Sequence, residues 1–346
     1  MKLLLILSGE HPSLPSAEVS FLFRAHDPEV ILKSMESRLM MVETGLAPGP
    51  AVELLQRLSM TREASLVLRV FDDGEPGDEL PDEIFDCIRG RSFLVRTRGM
   101  GPGGQHIEAK VGSSILRGAV ERGMESSVSM SDPGVKILFT RLGSGYAISL
   151  MVQRQSRSDY ESRVRGLPFR KPVSIDPVIA RAMINLSGVA SGDSLLDPFC
   201  GTGVILCEAG TVGARTLGMD FSQDMARGTA TNLASLGIGG YGVIRADAMR
   251  ASDILTEKFD HIVSDPPYGR ASATLADPGH LLEGFPGSMG KILRPGGTLC
   301  FASPSTMDLS PRIEEAGLET EFFAYQRVHG SLGRHLYLAR KPACED

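Results

Sequence analysis

Four aspartates, Asp197, Asp220, Asp247 and Asp265, each follow a short apolar run in the C-terminal half of this 346-residue chain. Each run reads as a buried strand, and open α/β sheets bind their ligands beyond the C-terminal ends of such strands. The last run, Phe259-Asp260-His261-Ile262-Val263, leads into Ser264-Asp265-Pro266-Pro267-Tyr268-Gly269. Asp265 offers an acidic acceptor, Pro266 a stiffly held carbonyl and Tyr268 an aromatic face. That set suits the gripping of an exocyclic amine on a flat base. The plain alternative is a proline-rich connector with an incidental tyrosine.

A second motif, Leu195-Leu196-Asp197-Pro198-Phe199-Cys200-Gly201-Thr202-Gly203, reads as strand, glycine turn and then helix from Val204 to Ala209. Glycines let a backbone approach a ligand closely, and a helix N-terminus favours negative charge. A dinucleotide fingerprint would continue to a third glycine, but position 206 is Leu. Asp197 suits a cofactor carrying an ammonium and a sulfonium better than it suits a pyrophosphate. Asp220 lies about 20 residues beyond the first glycine, the spacing of a ribose-binding acid. Asp247 is placed to accept an adenine amine. Phe199, Gly201 and Gly203 of the turn, and Ala248 beside Asp247, complete the expected cofactor-binding set. Singly, each acid also reads as a solvated loop residue or a helix cap.

The elements that must position these residues begin at Pro172. Asp176 is placed to cap a helix with Pro177 at its first position, and Val178, Ile179, Ala182, Met183 and Leu186 share one face. Beyond the catalytic turn, Gly297–Phe301 reads as a strand, and Glu321–Val328 with His335–Ala339 as an antiparallel edge hairpin. A mostly parallel seven-stranded sheet over 172–346 is expected. Upstream, residues 156–171 carry Arg163, Arg165, Arg170 and Lys171 without an apolar period, and read as a basic linker. Residues 1–62 suggest a small ferredoxin-like α+β unit, with a strand at 2–7, a helix over 17–25 capped by Ser16, and a helix over 51–59. Residues 63–155 form a further domain, with a helix over 108–122 and a hairpin around Gly143-Ser144-Gly145.

The net charge is −6, but the charge is segregated. Residues 89–171 hold 15 Lys and Arg against 6 Asp and Glu, whereas residues 1–88 hold 7 against 16. Such a basic block points to a polyanion bound locally. No apolar run approaches the ~18 residues of a membrane span. Residues 1–7 are too short an apolar core for a signal peptide. Five cysteines without a Cys-x-x-Cys argue for a reducing compartment, hence a cytoplasmic location, and against a metal site.

The glycine turn, the strand-end acids and the Asp-Pro-Pro-Tyr turn resemble the Rossmann-like class I S-adenosylmethionine-dependent methyltransferases, in the branch that methylates amino nitrogens. Ala109-Lys110-Val111-Gly112-Ser113-Ser114-Ile115, followed by Ser131-Asp132-Pro133-Gly134-Val135-Lys136-Ile137, resembles the THUMP domain of tRNA-modifying enzymes. The combination is most similar to the archaeal tRNA (guanine-N2)-methyltransferases that act at position 10. This resemblance implies S-adenosylmethionine as cofactor and tRNA as partner, with Arg163, Arg165, Arg170 and Lys171 on the RNA. It implies Asp265, Pro266 and Tyr268 as catalytic residues and one or two methyl groups added. Some members of that family work with a small zinc-binding activator subunit and others alone, and both stay open. Open too are a guanine-N2 enzyme acting elsewhere on tRNA or rRNA, an adenine-N6 methyltransferase, and an RNA-binding protein with an inactive methyltransferase fold.

Overall fold

The computed structural model describes residues 1–36, 38–71, 80–143, 145–172, 174–267, 278–329 and 332–343. Contacts divide the chain into two units: residues 1–10, 27–56 and 61–155, and residues 11–26, 57–60 and 156–346.

The first unit is built on one eight-stranded sheet. Its strands are β1 (Lys2–Leu7), β2 (Ile31–Glu36), β3 (Leu39–Glu43), β4 (Thr61–Phe71), β5 (Ser92–Arg98), β6 (Ser127–Val128), β7 (Val135–Leu142) and β8 (Gly145–Arg154), in the order β2-β3-β1-β4-β8-β7-β5-β6. The expected division at residue 62 therefore falls inside a continuous sheet. β4 pairs with β1 on one side and β8 on the other, and so joins the ferredoxin-like part to the THUMP-like part. The helices expected over 51–59 and 108–122 are Pro48–Arg57 and Gly104–Glu121. In the latter, Val111, Ile115 and Ala119 recur every four residues and are buried with Phe93, Ile137 and Phe139 of the sheet. Several of the basic residues are neutralised within this unit. Arg98 forks onto Glu63 with two 2.7 Å hydrogen bonds, Arg96 meets Glu108 at 3.1 Å, and Arg122 meets Asp82 at 2.7 Å.

The second unit carries a seven-stranded sheet. Its strands are β9 (Ser194–Asp197), β10 (Arg215–Asp220), β11 (Tyr241–Arg245), β12 (Phe259–Ser264), β13 (Leu293–Pro304), β14 (Glu319–His329) and β15 (Leu332–Arg340), in the order β11-β10-β9-β12-β13-β15-β14. β9 to β13 are parallel, and β15 runs antiparallel to both of its neighbours. The period of two is clean. Leu195, Val263, Cys300, Ala302, Leu336 and Leu338 point into one core, while Leu196, Ile262, Leu299, Phe301 and Tyr337 point into the other. The sheet runs outward from β9 to β10 and β11, then returns to β12. The β9–β12 pair is thus the switch point where a crevice opens at the C-terminal edge.

Two expectations need correction here. First, α1 (Leu14–His26) belongs to this unit rather than to a separate N-terminal domain. It begins before Ser16, because the ring nitrogen Nδ1 of His11 accepts the backbone N–H groups of Ser13 and Leu14. Leu14, Ala17 and Met60 share a core with α2 (Pro177–Leu186), all ten residues of which are buried. Asp176 caps α2 as its sequence predicts, accepting from Val178 N at 2.9 Å. The fully buried Glu18 carboxylate accepts from Ser59 N and Oγ, Met60 N and Asn185 Nδ2 at 2.7–2.9 Å, tying α1 and residues 59–60 to α2. A fragment beginning at residue 172 would leave this polar cluster and the surface of α2 without their partners.

Second, residues 156–171 are not an irregular linker. Ser156 and Asp159 form a reciprocal capping box at the start of a helix over Arg157–Arg165. Tyr160 is 1% exposed. Phe169 exchanges backbone hydrogen bonds with the Asn232 side chain, at 2.9 and 2.8 Å.

Candidate active site

The C-terminal edge of the second sheet gathers the predicted acids because parallel strands place their ends side by side. Asp197 closes β9, Asp220 closes β10 and Asp265 follows β12, with Asp247 two residues past β11. Between β9 and the helix Val204–Thr211 the chain makes a tight turn. Cys200 N donates to Met219 O at 2.9 Å and Gly203 N to Cys200 O at 2.7 Å. Gly201 and Gly203 sit at φ of +52° and +81°, in the left-handed region that favours glycine. A Cβ on Gly203 would also lie 2.6 Å from the methyl of Thr229. The turn is thus held close to the end of β10, and Gly201 N donates to Asp220 Oδ2 at 3.0 Å.

The acids differ in environment. Asp197 is 1% exposed and accepts from Ser264 Oγ at 2.7 Å and Phe199 N at 3.2 Å. Burial pushes its pKa up to about 7, the neighbouring charges of Asp265 and Asp220 add to the rise, and the two hydrogen bonds oppose it. Burial also raises Asp220, against hydrogen bonds from Ser222 N at 2.8 Å and Gly201 N. Asp247 is exposed and caps the short turn that follows it, accepting from Met249 N at 3.0 Å, while Ala248 is buried beside it. The Phe199 ring packs 5.8 Å from that of Phe285.

On the catalytic turn, Pro266 is buried and Asp265 partly so. Asp265 Oδ2 lies 3.3 Å from Nη1 of Arg334, on β15. Tyr268 falls outside the described residues. Arg334 was not foreseen, since nothing in its local sequence marks it and its partner lies 69 positions away. Ser264 heads the sequence motif without a role assigned to it there; the structure makes it the last residue of β12 and a donor to Asp197.

The four cations expected on RNA are not gathered as a free cluster. Arg163 lies 4.5 Å over the Tyr160 ring and 3.3 Å from the buried Glu208. Arg165 pairs with Glu161 at 3.4 Å and Lys171 with Asp224 at 3.2 Å, and Arg170 is exposed. No metal-binding cluster occurs among the described residues, and no helix among them is long and apolar enough to cross a membrane.

Residues 165–335 match the family model described as UPF0020, RMKL-like, methyltransferase domain. The tRNA (guanine(10)-N2)-dimethyltransferase of Methanothermobacter thermautotrophicus is 33% identical over 340 residues, covering 96% of this chain and 98% of that protein. The chain belongs to this dimethyltransferase family. The enzyme of the same name from Pyrococcus abyssi is 30% identical over 296 residues, 83% of this chain and 86% of the relative. Among solved structures, TrmN from Thermus thermophilus shares the fold, with a TM-score of 0.55 at 20% identity over 99% of this chain and 100% of that one. The Rossmann-like domain and the THUMP-like sheet before it are therefore those of the family, and the chain is an S-adenosylmethionine-dependent methyltransferase. The residues present fit that cofactor. The glycine turn follows directly on β9, and the buried Asp197 has no cation among its hydrogen-bond partners in the described residues.

Proposed function

We propose that this enzyme methylates the exocyclic N2 amine of guanosine 10 in tRNA, once or twice, in the cytoplasm. The observation that carries the reading is the convergence of Asp197, Asp220 and Asp265 on one sheet edge of a chain related end to end to guanine(10)-N2 enzymes. Asp197 and the backbone of Phe199, Gly201 and Gly203 would hold the methionine end of S-adenosylmethionine, Asp220 its ribose, and Asp247 with Ala248 its adenine. The cofactor supplies an electrophilic methyl on a sulfonium.

A guanine amine is a poor nucleophile because its lone pair is delocalised into the ring. Asp265 and the carbonyl of Pro266 accept its two hydrogens and draw the lone pair back onto nitrogen. Those acceptors favour the more tetrahedral nitrogen of the transition state over the flat ground state, so binding lowers the barrier. Tyr268 stacks on the base, and Asp265 takes the proton released on transfer. Pro266 and Pro267 stiffen the turn and keep acceptor and donor in line.

The basic segment holds tRNA by its backbone. Arg165 and Lys171 hold surface pairs with Glu161 and Asp224, and Arg170 is exposed; such surface pairs exchange readily for phosphates. The reading requires one chain and its tRNA; a small zinc-binding activator subunit enters no step of it. Mass mapping of unmodified tRNA after incubation with enzyme and S-adenosylmethionine tests the target. Methyl groups on N2 of guanosine 10 are expected, and methylation of an adenine or of another position would overturn the assignment. Neutralising Arg165, Arg170 and Lys171 should weaken tRNA binding and flatten its log–log salt slope by about 0.7–0.9 per lost phosphate contact.

A further inference from the structure

We infer that Arg334 is a positioning residue for the methyl-transfer step, acting through Asp265; the inference rests on the catalytic reading of that aspartate. Arg334 is 5% exposed. A buried guanidinium is costly unless its charge and its donors are met. Two partners meet it: Gln326 Oε1 on β14, 2.6 Å from Nε, and Asp265 Oδ2, 3.3 Å from Nη1. The register explains the placement. β15 runs antiparallel to β13, with Arg334 opposite Pro304, so the start of β15 lies at the edge where the parallel strands end. From there the guanidinium reaches the turn that follows β12, while Gln326 fixes its other side across the β14–β15 pair.

The charge balance at this edge gives the contact its purpose. Asp197, Asp220 and Asp265 crowd together, and the charge of Asp265 already helps to push Asp197 up. An acceptor for an amine must be ionised and must present its oxygens in one orientation. Arg334 is the cation that contacts Asp265 among the ion pairs of the described residues. It holds one carboxylate oxygen in place and offsets the repulsion of the two neighbouring acids. A guanidinium does this better than an ammonium, because its planar fork binds Gln326 and the carboxylate at once.

The test is steady-state methylation of unmodified tRNA by the full chain and by Arg334→Gln and Arg334→Lys, with S-adenosylmethionine affinity and melting temperature measured on each. Arg334→Gln should lower kcat by about 10²-fold, the scale of an ångström-level misplacement. KM for tRNA and the cofactor Kd should stay within a few-fold of the parent, and Arg334→Lys should recover part of the loss. Unchanged kcat in Arg334→Gln would overturn the inference. So would a joint fall of kcat, cofactor affinity and melting temperature without recovery in the Lys variant, since that pattern marks a residue that only holds the fold. If Arg334→Gln does not fold, the same kcat-against-KM split in Arg334→Lys decides. Product mapping of the parent enzyme keeps the two readings apart. Methylation at another base would overturn the target assignment, yet a selective kcat loss on that base would still support the role of Arg334.

Discussion

The two ends of the second sheet use the same residue type in opposite ways. At the N-terminal ends of β9 and β12, Asp260 accepts from Ser194 N and Oγ at 2.9 and 2.6 Å and pairs with Arg294. Burial works against its charge, but the Ser194 and Arg294 contacts win and bring its pKa down to about 2. Asp193, just before β9, is also lowered. There too burial is outweighed, by His261 at 3.0 Å and by the N–H of Ala190. At the opposite edge, Asp197 at the C-terminal end of β9 is raised to about 7 and Asp220 at that of β10 is raised as well, with burial the largest cause in both. One edge satisfies its carboxylates within the protein. The other leaves them under-compensated, at a cost in stability, and so keeps them available to a cationic cofactor and a base amine.

The contrast is broken most severely at Asp265. Asp265→Ala should lower kcat by about 10²–10³-fold, the scale of losing one transition-state acceptor, while cofactor affinity stays near that of the parent. Single-turnover methylation and calorimetry read the two quantities separately. Retained turnover would remove Asp265 from the chemistry.

Asp197→Asn should act on binding and stability with opposite signs. Loss of the carboxylate should weaken S-adenosylmethionine by about 1.5–3 kcal/mol, the range for a hydrogen bond to a charged group. The same change should raise the melting temperature of the ligand-free protein at pH 8. The folded pKa of about 7 lies above the ordinary value near 4, so this group favours the fold fully below pH ~4. That contribution is lost as pH rises through 7. The advantage of the Asn variant should therefore be small at pH 5 and grow to pH 8. A variant destabilised at pH 8 would show that the buried charge is met within the fold.

Much of this edge was legible because its signals are local. Strand, acid and glycine follow one another within nine residues at 195–203, and the Asp-Pro-Pro turn directly follows its strand. The alternating apolar runs and the cap at Asp176 likewise need only near neighbours. What escaped depends on distance. Arg334 finds Asp265 only after β15 has folded back beside β13, and Glu18 reads as an ordinary surface acid until Ser59, Met60 and Asn185 surround it. Those long-range bonds also moved the boundaries, since they draw residues 11–26 and 57–60 into the catalytic unit. The helix over 157–165 is a different failure. Ser156 and Asp159 carry the capping-box spacing, but a polar stretch whose one buried side chain is Tyr160 shows no apolar period.

The smallest effect belongs to the well-paired edge. Asp260→Asn removes the charge while keeping an oxygen that Ser194 can reach. Its cost should be about 1 kcal/mol at pH 7, that of weakening a charge-assisted bond, or roughly 2–4 °C in melting temperature for a unit of this size. Because the folded pKa is depressed to about 2, the stabilisation from Asp260 is present above pH ~4 and is lost as pH falls through 2. The melting temperatures of parent and variant should therefore converge between pH 4 and pH 2. Cofactor affinity and kcat should not move, since Asp260 lies near the start of β12, beside Ser194 of β9, at the sheet edge away from the glycine turn. A loss of methyl transfer in Asp260→Asn at unchanged stability would show that the two edges are coupled, and would break the division between an edge built for holding and an edge built for chemistry.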